Sequence, residues 1–153
     1  MLGRIINLLS SARDDGADEQ LRQSEIAQAA AALLVHAARI DGISTADEEA
    51  KLRELLTARF NLSGPQLAEL LSAADEAERE AVDLYRFTKV LTRHLDQNGR
   101  KNIVEMLWNV AAADGIIHEF EANLVWRVAE LIGVSTRDRV LLKQKALRED
   151  QGA

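Results

Sequence analysis

The chain contains no cysteine, which removes disulfides, thiolate metal sites and cysteine nucleophiles and fits a reducing compartment. One proline serves all 153 residues and aromatic residues make up only 4 %. With abundant Ala, Leu and Glu and few β-branched side chains, this composition favours helix over sheet. No run approaches the roughly 20 apolar residues of a membrane-spanning helix; the longest weakly polar stretch, Ala27 to Ala38, is interrupted by Gln28 and His36. Met1 to Leu9 shows no apolar signal region followed by a small-residue cleavage site, so a cytoplasmic protein is expected. Positive charge is in the minority: 19 Lys and Arg against 25 Asp and Glu give a net charge of -6, which argues against nucleic acid or an anionic membrane as partner. Phosphate-binding Gly-rich loops, nucleophile elbows and paired-histidine metal motifs are missing too, so no enzymatic reaction is expected.

What the chain does contain is a repeat. Ala38-Arg39-Ile40-Asp41-Gly42-Ile43 returns 73 residues later as Ala111-Ala112-Ala113-Asp114-Gly115-Ile116, and Glu48 falls on Glu121 at the same offset. Further on, Leu62-Ser63 corresponds to Val134-Ser135 at an offset of 72. Each half therefore reads helix, Asp-Gly turn, helix, short hydrophobic-Ser turn, helix. With one further helix between the halves, the expectation is an all-α compact bundle of about seven to eight helices with internal pseudo-symmetry. Its domain organisation is read as residues 1–20, a short N-terminal helix and acidic linker, followed by a single helical domain over 21–149.

Along the chain, Leu2, Ile5, Ile6 and Leu9 make a short apolar face, read as packing on the domain in preference to lying on a membrane surface. Ser11 to Glu19 reads as a solvated linker or loose first turn. A long helix from about Leu21 to Ile40 follows, burying Ile26, Ala29, Ala30, Leu33, Leu34 and Ala37, its alanines permitting close approach of a neighbour. Thr45 and Glu48 have capping-box spacing, as do Ser63 and Gln66, with Pro65 tolerated in a first turn. Asp75 to Glu80 reads as a charged surface corner. The middle helix spans 81–95, closed by Asp96 to Gly99. The next helix runs from Arg100 to Ala113 with Trp108 in the core. Phe120, Leu124, Val125, Val128, Leu131 and Ile132 form the stripe after the second turn, and Val140, Leu141 and Leu147 that of the last helix.

The turns are the candidate chemistry. From glycine to glutamate, Gly42 to Glu48 and Gly115 to Glu121 reproduce the interval between positions 6 and 12 of an EF-hand loop. The other ligands do not appear: positions 1 and 3 would be Ala37 and Arg39, then Val110 and Ala112. Pseudo-symmetric packing could instead pool Asp41, Glu48, Asp114 and Glu121, with Glu49, His118 and Glu119 as accessory donors, around a divalent cation. The competing reading is structural: the aspartates accept backbone hydrogen bonds and the glutamates cap the following helices. His36, His94 and His118 form no local ligand pattern, and only His118 lies beside a motif carboxylate.

The duplicated Ala-x-x-Asp-Gly corner with its glutamate, in a helical acidic chain of this length, resembles the TerB-like family named for tellurite resistance. The likeness covers roughly residues 22 to 147 and extends to the N-terminal domain of some membrane-anchored J-domain co-chaperones. The resemblance implies a compact helical domain whose acidic turn residues, here Asp41, Gly42 and Glu48, then Asp114, Gly115 and Glu121, have been proposed to hold metal. The second copy departs from the first in having Ile117-His118 where the first has Ser44-Thr45. No His-Pro-Asp tripeptide of a J-domain occurs in the chain.

The functional expectation is a non-enzymatic cytoplasmic module that binds a protein partner, with ions as modulators at the acidic turns. The alternative is a divalent-cation-binding or tellurite-stress protein. Trp126, beside Arg127 and off the Val125-Val128 face, is the candidate contact surface. The sequence leaves the partner, the ion and association with a second copy open.

Overall fold

A computed structural model describes residues 2–40, 45–80 and 84–152. The turn residues Asp41, Gly42, Ile43 and Ser44, and Ala81 of the middle helix, lie outside the described residues, as do the side chains of Leu2, Ile5, Ile6 and Leu9. Among the described residues, seven α-helices follow one another: α1 (Leu2–Arg39), α2 (Ala46–Phe60), α3 (Gly64–Glu80), α4 (Tyr85–His94), α5 (Gln97–Ala111), α6 (Glu119–Ile132) and α7 (Thr136–Gly152).

The duplication is visible in the packing. α1 packs on α2 and α3 as α5 packs on α6 and α7; α1 and α5 pack on each other, and the cross-pairs α2 with α5 and α1 with α6 complete the pattern. α4 belongs to neither half and lies against α1 and α6. α1 and α5 are thus the central helices. α5 is buried continuously from Met106 to Ala111, and α1 from Ala29 to Val35. A helix buried on all sides must be apolar all round, and in α1 this is met by alanines at 29 to 32, 37 and 38, which keep the helix axes close.

Helix boundaries follow side-chain capping. Thr45 accepts from the amide of Glu48 at 3.1 Å. Ser63 and Gln66 form a full capping box, Ser63 Oγ accepting from the Gln66 amide at 3.3 Å and Gln66 Oε1 from the Ser63 amide at 2.9 Å. Ser135 accepts from the Asp138 amide at 3.2 Å. Asn61 and Gly133 end α2 and α6 in the left-handed region, 72 residues apart like the serines that follow them.

In several places the structure departs from the periodicity reading. α1 runs unbroken through Ser11 to Glu19; that stretch has no proline, and the single Gly16 costs only about 1 kcal/mol in a helix. α3 likewise continues through Asp75 to Glu80, because two of those acids face α1: Asp75 lies 2.7 Å from Arg39 and Glu78 3.0 Å from His36. Asp96 to Gly99 opens α5, where it was expected to close the middle helix: Asp96 accepts from the Gly99 amide at 2.9 Å. Phe120 and Leu131 point outward from α6, and α7 buries Arg139 and Ala146 while exposing Val140 and Leu141. The α7 stripe is thus set by Arg139, whose stem and guanidinium cover apolar surface.

Candidate functional site

The second corner links α5 to α6 and is held by short-range hydrogen bonds. The Ala112 amide donates to the Trp108 carbonyl at 2.9 Å, and the Gly115 amide to the Ala112 carbonyl at 2.9 Å. Gly115 then takes φ of 87°, a left-handed conformation that glycine adopts without a Cβ penalty. Nothing lies within 4 Å of where a Cβ would stand, so the glycine answers to backbone angle and not to space. Asp114 turns onto its own backbone, Oδ1 accepting from the Ile116 amide at 3.1 Å. Its Oδ2 stands 3.5 Å from His118 Nε2.

α6 begins after His118, which occupies the N-cap with extended backbone and no side-chain cap bond. Glu119 and Phe120 follow, both exposed. Glu121, the third residue of the helix, is 0 % exposed; its counterpart Glu48 in α2 is 1 % exposed. Both carboxylates sit in a first turn, where unpaired amides and the helix dipole favour negative charge. Glu48 Oε1 also accepts from the Thr45 hydroxyl at 3.2 Å. Glu49 is half-buried, its amide donating to the Thr45 carbonyl at 3.0 Å.

The corner residues singled out in the sequence are thus brought together in part. Asp114 meets His118, and Glu48 meets Thr45, whereas Asp41 and Gly42 lie outside the described residues, and with them any meeting of the four carboxylates. Among the described residues, no group of three or more His, Asp or Glu side chains is placed to hold a metal ion. Trp126 is half-buried, its ring lying 5.1 Å from the Arg139 guanidinium. The other two histidines tie α1 to its neighbours: His36 to Glu78 of α3, and His94 of α4 to Glu25 at 2.8 Å.

Two features escaped the periodicity. Ile116 and Phe120 both project into solvent at the second corner, and an open cleft lies between α1, the end of α2 and α3. Phe120 fits an i, i+4 apolar pattern with Leu124. Only the repeat alignment marks it, since it falls on Asp47, a charged surface position.

A seven-helix bundle built from two helix-corner-helix halves, with a buried glutamate opening the second helix of each, is the frame these residues define. Comparison with known proteins gives that frame a family: the model for tellurite resistance protein TerB matches residues 27–144, and the chain belongs to the TerB-like family. It is also similar to the N-terminal domain of DjlA-type co-chaperones. Co-chaperone protein DjlA of Aliivibrio fischeri is 32 % identical over 146 residues, covering 90 % of this chain and 50 % of the relative. The protein of the same name from Vibrio parahaemolyticus is 31 % identical over 142 residues, covering 87 % of this chain and 48 % of the relative. The chain therefore spans about half the length of the curated relatives it matches. No solved structure matches it. Among the described residues, no helix is long and apolar enough to cross a membrane.

Proposed function

We propose that this chain is a non-enzymatic helical module that docks a partner protein through its second corner. The observation that carries the reading is the pair of apolar side chains held out there, Ile116 at 63 % and Phe120 at 64 % exposure. Both stand on or beside a turn fixed by Asp114 and Gly115, so a partner meets them with little backbone freedom left to lose. Ile116 recurs in the first half as Ile43, whereas the equivalent of Phe120 there is Asp47, so Phe120 is the residue that supports a binding role specific to the second corner. Likeness to the N-terminal domain of proteins named as co-chaperones fits a module that serves a larger assembly.

Photo-crosslinking tests this. A diazirine amino acid replacing Phe120 is expected to give a discrete adduct in cells that Ile116→Asp abolishes, while the same probe at Asp47 gives none. Equal labelling from both positions, or none from either, would overturn the reading. A solution mass of two chains that Phe120→Asp halves would assign the face to a second copy.

The Asp114–His118 pair favours a second reading, a divalent cation held at the acidic corners, as in a cation-binding or tellurite-stress protein. Calorimetric titration of chelator-stripped protein with Ca²⁺, Mg²⁺, Mn²⁺ and Zn²⁺ separates the two. Binding tighter than millimolar that Asp114→Asn or His118→Ala removes would support the cation; heats unchanged by either substitution would remove it.

A further inference from the structure

The two halves differ at one seam. Where the start of α5 faces the end of α6 and the start of α7, three cations are placed. Arg100 donates from Nε to the Leu95 carbonyl at 3.0 Å and from Nη2 to the Thr92 carbonyl at 2.8 Å, and a Cβ on Gly133 would stand 3.8 Å from its Nη1. Lys101 lies 3.4 Å from Asp138. Arg139 donates from Nε to the Val134 carbonyl at 2.7 Å and from Nη2 to Glu130 at 2.8 Å.

The repeat offsets place Ala27, Gln28 and Leu67 where the second half has Arg100, Lys101 and Arg139. With none of those cations present, α1, the end of α2 and α3 leave a cleft of about 720 Å³, within the range of roughly 300–1,000 Å³ typical of ligand sites. Ala27, Phe60, Leu62 and Leu70 supply its apolar lining, and Glu19 and Glu69 bring negative charge to it. The lining also includes Arg59, which is committed elsewhere: its Nε donates to Asn102 Oδ1 at 3.0 Å and its guanidinium lies 5.2 Å from the Phe60 ring centroid.

From this difference we propose that the cleft receives an arginine side chain from a peptide segment of a partner protein. The guanidinium takes the place that Arg100 fills in the other half and pairs with Glu19 and Glu69, while flanking aliphatic side chains lie on Phe60 and Leu70. A guanidinium suits such a site because it is planar, weakly hydrated and able to bind carboxylates bidentately while lying on apolar surface. Glu19 now engages Arg22 at 3.3 Å and Gln23 at 3.1 Å, both on its own helix and exposed; contacts of this kind are worth little and exchange readily. The net charge of -6 favours approach of a cationic segment. The cleft is built by α1 to α3 and shares no residue with the second corner, so the two proposals stand or fall separately.

The test is an NMR titration of the ¹⁵N-labelled full chain with acetyl-Leu-Arg-Leu-amide and with its neutral isostere carrying citrulline in place of arginine. The arginine peptide is expected to shift amides of α1 around Ala27, the end of α2 and the first half of α3. It should bind about tenfold more tightly than the citrulline peptide, as charge-assisted hydrogen bonds require. Glu69→Gln should weaken it, and Ala27→Arg should abolish binding by filling the cleft from within. Glu69→Arg, at an exposed position, serves the same purpose should Ala27→Arg not fold. Equal binding of the two peptides, shifts mapping elsewhere, no shifts at millimolar peptide, or an affinity untouched by Glu69→Arg would overturn the proposal.

Discussion

At the start of α2, Thr45 caps the helix with its hydroxyl and Asp47 faces solvent; at the start of α6, His118 takes the cap position without a side-chain bond and Phe120 faces solvent. In both, the third helical residue is a fully buried glutamate. The halves therefore share what the interior demands and differ in what the surface presents. Packing of α1 on α5 needs equivalent helix axes and equivalent first turns, whereas nothing in the core dictates the outward residue two positions after the cap. The seams repeat the lesson. Ala74 and Ala146, 72 residues apart, are each fully buried where α3 and α7 meet the central helices, yet Arg100 holds the end of α4 in one half where its equivalent Ala27 lines a cleft in the other.

The equivalence of the interiors can be broken most forcefully at Leu34 and Leu107, which correspond at an offset of 73 and are 1 % and 0 % exposed. Each substitution by Ala should lower the unfolding free energy by about 2–5 kcal/mol in chemical denaturation. A near-neutral result for one of them would show that the halves do not share a core. At the second corner, Gly115→Ala should lose about 1–2 kcal/mol through its left-handed backbone despite the open space around it; unchanged stability would mean that the turn relaxes.

The caps should separate the two helix starts. Thr45→Ala is expected to cost about 1 kcal/mol, and His118→Ala measurably less in the same denaturation experiment, because His118 supplies no cap bond. Equal costs would contradict the asymmetry. The smallest effect belongs to Lys145 and Glu105, 2.8 Å apart in the second half, where the first half has Ala73 and Ala32. The hydrogen bond that Lys145 donates to Glu105, and then the Glu105 charge, raise the Lys145 pKa above its ordinary 10.5. A raised lysine pKa stabilises the fold below the ordinary value, and that contribution is lost as pH rises through the folded value. With the ammonium half exposed, Lys145→Met should cost less than about 1 kcal/mol near neutral pH, and the difference from the parent chain should shrink in strongly alkaline solution. A gap that persists there would remove the pair as its cause.

Much of the frame could be read from the residues. Apolar spacing located Ile26, Leu33, Leu52, Leu56, Leu107 and Leu124, all buried, and hydroxyl-to-acid or hydroxyl-to-amide spacing located the starts of α2 and α3. Local rules failed where a tertiary partner decided the outcome. Asp75 and Glu78 looked like a surface break because their partners, Arg39 and His36, lie far away in sequence. Phe120 looked like core because periodicity reports which faces of a helix are apolar, and not where a helix end clears its neighbours. Burial of Glu48 and Glu121 was illegible for the same reason: spacing gives a capping glutamate, but only packed helices exclude water from it.

The sequence by itself determined the all-helical class, the duplication and the second Asp-Gly corner, because helix propensity, capping and turn chemistry act over a few residues and are written in adjacent positions. The tertiary structure alone decided which apolar residues stay exposed, which carboxylates are buried and where α1, α2 and α3 leave a cleft. Those outcomes depend on how closely two helices approach, and that distance is set jointly by side chains some seventy residues apart.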